Sequence, residues 1–330
     1  MLGPLLFIIF CNDFAACCKE GQNILYADDN TCLVSDGDPD NLKVKIQVEA
    51  DRSTDWAVDN RMVCAGNKTK LLVIGTDRLR KSRFDDQQMH ITVCNSTVED
   101  TFSEKLLGLV INNNLTWKEY LYGESWRSNN NAKGLISQLS QRVGLLSKIA
   151  PLMPFHRFKQ VCSGLFYSKL IYCIQVFGTV WDVKSLDESC RKSPPFTKED
   201  NRKLQVLQNK VLRLKTGLPF DTATNDLLKE AGDLSIQQLT AYTSLVTAQK
   251  SLVKQEPAYL ANKFQRSPRN QNQLLPPNYK LSVSRNGFFY RTSTLFNNLP
   301  ENLQVEMNPN EFKRKVKVWI VDNISAKPWK

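Results

Sequence analysis

The chain has 330 residues, 42% of them hydrophobic, with 44 lysines and arginines against 33 aspartates and glutamates, a net charge of +11. That length and apolar content describe a globular protein with two or three domains, and no run reaches the roughly 18 apolar residues that a membrane span requires. Residues 1–122 hold 13 basic and 18 acidic side chains and the rest hold 31 and 15, so an acidic module precedes a strongly basic body. Such a body points to a polyanionic partner such as nucleic acid, with metal ions as neutralisers of the acidic part; a merely solvated surface explains the charge equally well.

The opening MLGPLLFIIFCNDFAACC lacks the basic start of a secretory leader and is interrupted by Pro4, Asn12 and Asp13, so it reads as a buried helix. Ile24–Tyr26 and Thr31–Val34 then form two apolar runs around a turn, a hairpin pattern with Asp28 and Asp29 at its tip. Segment 39–60 has a proline-led start and apolar residues at Leu42, Ile46, Ala50 and Trp56, a helical spacing. KLLVIG (70–75), MHITVC (89–94) and KLLGLVIN (105–112) read as strands, which gives an α+β first part. From about Ser137 two or three helices are expected, broken at Pro151 and Pro154. Segments 184–201 and 265–280 look like exposed linkers. Between them Leu204, Leu207, Val211 and Leu214 share a helix face, with Arg202, Lys203, Lys210 and Arg213 opposite and Gly217 and Pro219 ending the helix. A last helix begins with Asn308 as N-cap, Pro309 at its first position and Glu311 closing a capping box. The nine cysteines form no C-x-x-C pair and only His90 and His156 accompany them. Neither a zinc module nor a disulfide framework fits, so most read as small core residues in a reducing compartment.

Two adjacent aspartates between apolar strands need something to neutralise them. Alone, such a pair is usually an Asx turn that caps backbone amides. Four segments in order, LGPLLF (2–7), YADD (26–29), NKTK (67–70) and KLLGLVINNNLTW (105–117), together resemble the second half of the palm of a reverse transcriptase, that of non-LTR (LINE) retrotransposons of the Jockey and Rex kind. The resemblance continues through 145–181, 204–219, 256–260, 286–300 and 311–320, so nearly the whole chain is covered. It implies a fold of class α+β: a partial palm over 1–122, thumb-like helices over 123–183 and a basic, mostly helical C-terminal region over 184–330.

The same resemblance implies that Asp28 and Asp29 hold Mg²⁺, with Mn²⁺ as a substitute, beside a primer end passing Tyr26 and Ala27. Hard carboxylate oxygens suit that ion, which bridges an incoming dNTP during in-line phosphoryl transfer. Lys68 corresponds to a lysine thought to protonate the pyrophosphate leaving group, although Ala65 stands where the family has asparagine, and an exposed lysine at the start of a strand is the plain alternative. Leu107 and Gly108 match a hairpin that grips the primer, Gly108 allowing a close backbone approach. Core packing accounts for those leucines and for Trp117 equally well, and Asn112 and Tyr120 depart from the family pattern. Arg202, Lys203, Lys210 and Arg213, with Lys313, Arg314, Lys315 and Lys317, are candidate phosphate contacts to an RNA template and DNA primer, or simply a solvated face.

Met1 stands where the family has a glutamine–glycine pair, and the first metal-binding carboxylate and the fingers have no counterpart in the 330 residues. The expected function is therefore RNA-directed DNA polymerase by descent, inactive as this chain. The alternative is a non-catalytic nucleic-acid-binding remnant; a nuclease using the aspartate pair lacks a supporting histidine or third acid. The expected setting is intracellular, nucleus or cytoplasm, not secreted and without a membrane partner.

Overall fold

The computed structural model describes residues 2–63, 65–76, 78, 80, 89–123, 133–181, 194–279 and 281–327. The chain forms two compact units, Met1–Leu115 and Thr116–Lys330.

The first unit is mixed helix and strand, with three separate two-stranded antiparallel sheets among its described residues, as an α+β reading requires. Helix α1 (Leu2–Phe10) leads to the hairpin of β1 (Gln22–Tyr26) and β2 (Asp29–Leu33). Long helix α2 (Pro39–Asp59) follows, with proline in its first turn and Asp40 at the positive end of its dipole. Two further hairpins close the unit, β3 (His90–Val93) with β4 (Ser96–Glu99), and β5 (Ser103–Leu106) with β6 (Leu109–Asn112). The core gathers where α2 lies on the second hairpin. Leu42, Ile46 and Ala50, one helical turn apart, pack on Leu71, Val73, Met89, Ile91, Val93 and Val98. Each fully buried aliphatic side chain contributes roughly 1.5–3 kcal/mol. The free edge of β3 is closed by a side chain: Gln47 of α2 donates to the Thr92 carbonyl and accepts from the Thr92 amide, both at 2.8 Å.

Three expectations for this unit need correction. Helix α1 forms, but it has no buried residue, and Leu2, Leu5, Leu6, Ile8 and Ile9 are all more than half exposed. Its end alone is anchored, Phe10 and Phe14 meeting the Trp56 ring edge to face at 5.9 and 4.8 Å. Segment 70–75 is extended and buries Leu71 and Val73, yet it builds no ladder. It pairs only at isolated points, Leu71 with Asp100 and the Gly75 amide with the Asn113 carbonyl, because the neighbouring strands pair with their own hairpin partners. The run 105–112 is not one strand: it turns at Leu107 and Gly108.

The second unit is helical among its described residues. Its main helices are α3 (Lys118–Tyr122), α4 (Leu135–Ile149), α5 (Phe155–Cys162), α6 (Ile174–Phe177), α7 (Lys198–Thr216), α8 (Thr224–Ala231), α9 (Ile236–Lys254), α10 (Phe288–Asn297) and α11 (Pro309–Asn323). A wide-turned π-helical stretch, Ser163–Tyr167, continues α5. Helix α7 packs against α4, α5, α8 and α9, and α9 in turn against α6, α10 and α11. Phe158, Phe166, Phe177, Phe196, Phe296 and Phe312 are fully buried among aliphatic neighbours.

Both central helices start with a reciprocal capping box, Thr197 with Asp200 and Ser235 with Gln238. Helix α7 thus begins within the expected linker 184–201, of which residues 184–193 lie outside the described residues. Nor is 265–279, the described part of the expected linker 265–280, a free linker: Leu274 is buried and its amide and carbonyl are both held by Asn297, at 2.7 and 2.8 Å. Gly217 ends α7 in the left-handed conformation at φ +71. At the last helix Asn308 caps as expected, accepting from the amides of Asn310 and Glu311. Glu311 does not close a box, because its carboxylate is drawn to Arg314 at 3.0 Å while the Asn308 amide donates to Glu306 instead.

Candidate active site

The β1–β2 hairpin is joined by two residues, Ala27 and Asp28, with Tyr26 directly opposite Asp29. Ala27 occupies φ +54, the left-handed region that tight hairpin turns demand and that alanine adopts under strain. Both aspartates and Tyr26 are exposed. Among the described residues neither carboxylate has a hydrogen bond or an ion pair, so neither is an Asx cap of the turn. Nor does either belong to a cluster of three metal-ligating groups among the described residues. Carboxylates from two consecutive residues, both in solvent, offer the hard oxygens that suit Mg²⁺ but do not by themselves form a cage for it.

The base of the hairpin is held by a residue that sequence reasoning missed. Glu49, on α2, is 3% exposed, and its Oε1 accepts from the amides of Lys19 and Glu20 at 3.0 and 2.7 Å and from Arg52 at 2.6 Å. Burial works to raise this carboxyl. The Glu20 amide, the Cys18 thiol, the Lys19 amide and Arg52 together outweigh it, and Glu49 is held below its ordinary value. The sequence signal was a lone acid between Ile46 and Ala50 on a buried stripe. Beside it, the sulfurs of Cys18 and Cys32 lie 3.1 Å apart. Among the described residues only Cys162 is a fully buried cysteine, so most of them are not the small core residues expected.

The other candidates are spread out. Lys68 is exposed at the end of a 3-10 turn, not at the start of a strand, and forms no bond to either aspartate. Leu107 and Gly108 form the β5–β6 turn at φ +46 and +87, so a two-residue turn with both centres left-handed brings backbone to the surface there. In the second unit α7 is buried over a wider arc than its apolar stripe suggests, taking in Asn201, Gln205, Gln208 and Lys215 as well as Leu204, Leu207 and Val211. Its basic residues are partly engaged. Arg202 forms a two-pronged pair with Glu199 at 2.7 and 2.8 Å. Lys203 lies 4.6 Å over the Tyr122 ring, and Arg213 donates to the Phe220 carbonyl at 2.7 Å. Lys315 pairs with Glu306 at 2.7 Å, and Lys317 donates to the Gly232 carbonyl at 2.8 Å. Lys210 and Lys313 are exposed with no partner among the described residues.

No protein-family model, curated protein or solved structure matches this chain. No helix among the described residues is long and apolar enough to cross a membrane.

Proposed function

We propose that this chain belongs to an RNA-directed DNA polymerase of a non-LTR retrotransposon, with palm-like and thumb-like parts. The observation that carries the reading is the acidic turn: two adjacent aspartates, solvent-facing and unpaired among the described residues, at the tip of a two-residue hairpin. Like-charged neighbours without a partner are electrostatically unfavourable, and a divalent cation removes that cost.

When bound, Mg²⁺ or Mn²⁺ supplies Lewis-acid stabilisation of the charge that develops as a primer 3′-hydroxyl displaces pyrophosphate from a dNTP. Asp28 and Asp29 hold that ion, and a third carboxylate must come from outside the residues gathered at the turn. Tyr26, across the ladder from Asp29, offers an exposed ring for the primer's terminal sugar. The Leu107–Gly108 turn gives backbone access to the primer strand, and Lys68 delivers a proton to the leaving group. Lys210 and Lys313, followed by the partly engaged basic residues of α7 and α11, contact phosphates of the RNA template and DNA primer.

The test is paramagnetic broadening by Mn²⁺ of amide resonances in the full chain, with and without a primer–RNA template. Broadening confined to residues 26–30, strengthened by the duplex and abolished in Asp28→Asn, supports the reading. Duplex binding that falls with salt, without local broadening and unchanged in Asp28→Asn, supports instead a nucleic-acid-binding remnant, the reading favoured by the strongly basic second part of the chain. Absence of both effects removes both readings.

A further inference from the structure

We propose that Cys18, Cys32 and Glu49 form a binding site for a thiophilic divalent cation, zinc being the type, which clips the β1–β2 hairpin to α2. The proposal is independent of the polymerase reading and concerns a different ion from the one assigned to the turn. One ligand atom from each of the three residues lies within 4.8 Å of the others, the one such group among the described residues. The three come from separate elements: the turn before β1, strand β2 and helix α2.

The donor chemistry selects the ion. Two sulfurs and one carboxylate suit Zn²⁺ and exclude Mg²⁺, which demands oxygen. Zinc–sulfur bonds of about 2.3 Å in a tetrahedron set the sulfurs about 3.8 Å apart. The observed 3.1 Å therefore has to widen by well under 1 Å, within reach of a small side-chain rotation in half-buried residues. Oε1 of Glu49 is committed to two backbone amides and Arg52, which fixes the carboxylate and leaves Oε2 as the ligand atom. Arg52 also balances the charge: two thiolates, one carboxylate and Zn²⁺ sum to −1, and the guanidinium brings the group to neutrality. Loading releases two thiol protons and changes no oxidation state.

A second observation points to a missing occupant. Asn23 pairs with Cys32 across the β1–β2 ladder, so the two side chains share a face of the hairpin. Both polar atoms of the Asn23 amide are buried and have no partner among the described residues. A buried amide left unsatisfied is costly, and an ion with its bound water supplies both a donor and a charge for it to meet. A disulfide between the two cysteines would use neither Glu49 nor Asn23.

The experiment uses the full chain, reduced and free of chelators. Zn²⁺ is titrated against a chromophoric chelator, and Co²⁺ is added separately to read the sulfur-to-cobalt charge-transfer band. One ion per chain is expected, lost in Cys18→Ser and in Cys32→Ser, retained in Cys173→Ser, and weakened about 10- to 100-fold in Asn23→Leu, where an outer partner is removed. To keep the test independent of how the variants fold, alkylation of the wild-type chain is mapped by mass spectrometry: Zn²⁺ should protect Cys18 and Cys32 while leaving Cys11 and Cys17 reactive. Absence of stoichiometric binding, equal loss in Cys173→Ser, protection spread over all the cysteines, or a Cys18–Cys32 disulfide in a chain that binds no metal when reduced would each overturn the site.

Discussion

At φ +54, Ala27 holds a conformation that costs an L-residue with a Cβ about 1–2 kcal/mol and costs glycine nothing. Glycine loses more freedom on folding, so Ala27→Gly should stabilise the chain by only about 0.5 kcal/mol, read from the urea midpoint. Gly108→Ala, at φ +87, should destabilise it by about 1–2 kcal/mol in the same assay. Glu49 predicts an acid limb. Its folded carboxyl sits below the ordinary value, so the unfolded chain binds more protons over that interval. The stabilisation is complete above the ordinary carboxylate range and is lost as pH falls through the lower folded value. Melting temperatures recorded from about pH 6 down to pH 3 should fall in the wild type and fall less in Glu49→Gln, which starts lower. In the second unit Arg291 is buried and reaches the carbonyls of Gly178, Gln175 and Asn286, with burial alone pushing its guanidinium down to about 10. Arg291→Met strands three acceptors and should cost about 2–4 kcal/mol by denaturant unfolding. The turn residues Ala27 and Gly108, like the aspartates beside Ala27, could be read from sequence, because each stands in or next to a short motif between apolar runs. Glu49 and Arg291 act on backbone groups far along the chain, and nothing local in either stretch says which loop returns to meet them.

Elements whose signal is local were legible. The hairpin around Asp28, the proline-led helix at 39–59, the Asn308 cap and the Gly217 stop each rest on residues within one or two turns of each other. The errors lie where an element depends on a partner. A strand-like run at 70–75 became extended chain because no neighbouring strand was free to pair with it, and β4 was missed because its turn, Cys94 and Asn95 at φ +48 and +61, follows the apolar run that announced β3. Linker-like stretches at 194–201 and 265–279 were polar yet tied down by side chains, Asp200 in one case and Asn297 in the other. The Thr197 cap gives a direct check at this scale. Its hydroxyl accepts from the Asp200 amide, and Asp200 also takes the Tyr122 hydroxyl at 2.5 Å. Thr197→Ala should therefore cost about 1–2 kcal/mol, measured as a shift of the urea midpoint with unchanged slope.

At the scale of the molecule, stability is unevenly distributed. Helix α9 buries residues along its whole length, whereas neither β1 nor β2 buries any. Native-state amide exchange should therefore find α7 and α9 opening only near the global unfolding limit, with β1 and β2 exchanging far faster. A salt titration of nucleic-acid binding addresses the basic second part: Lys210→Ala should lower the slope of log affinity against log salt by about 1. The composition foretold that basic surplus, but not that Arg202, Arg314 and Lys315 are neutralised by acids on the same surface. Helix α1 has a practical consequence for handling the protein. A greasy rod of leucine, isoleucine and phenylalanine facing water is adhesive, so preparations should bind hydrophobic dyes and scatter light increasingly with concentration. Paired lysine substitutions at Leu6 and Ile9, two side chains more than half exposed, should keep the particles monodisperse.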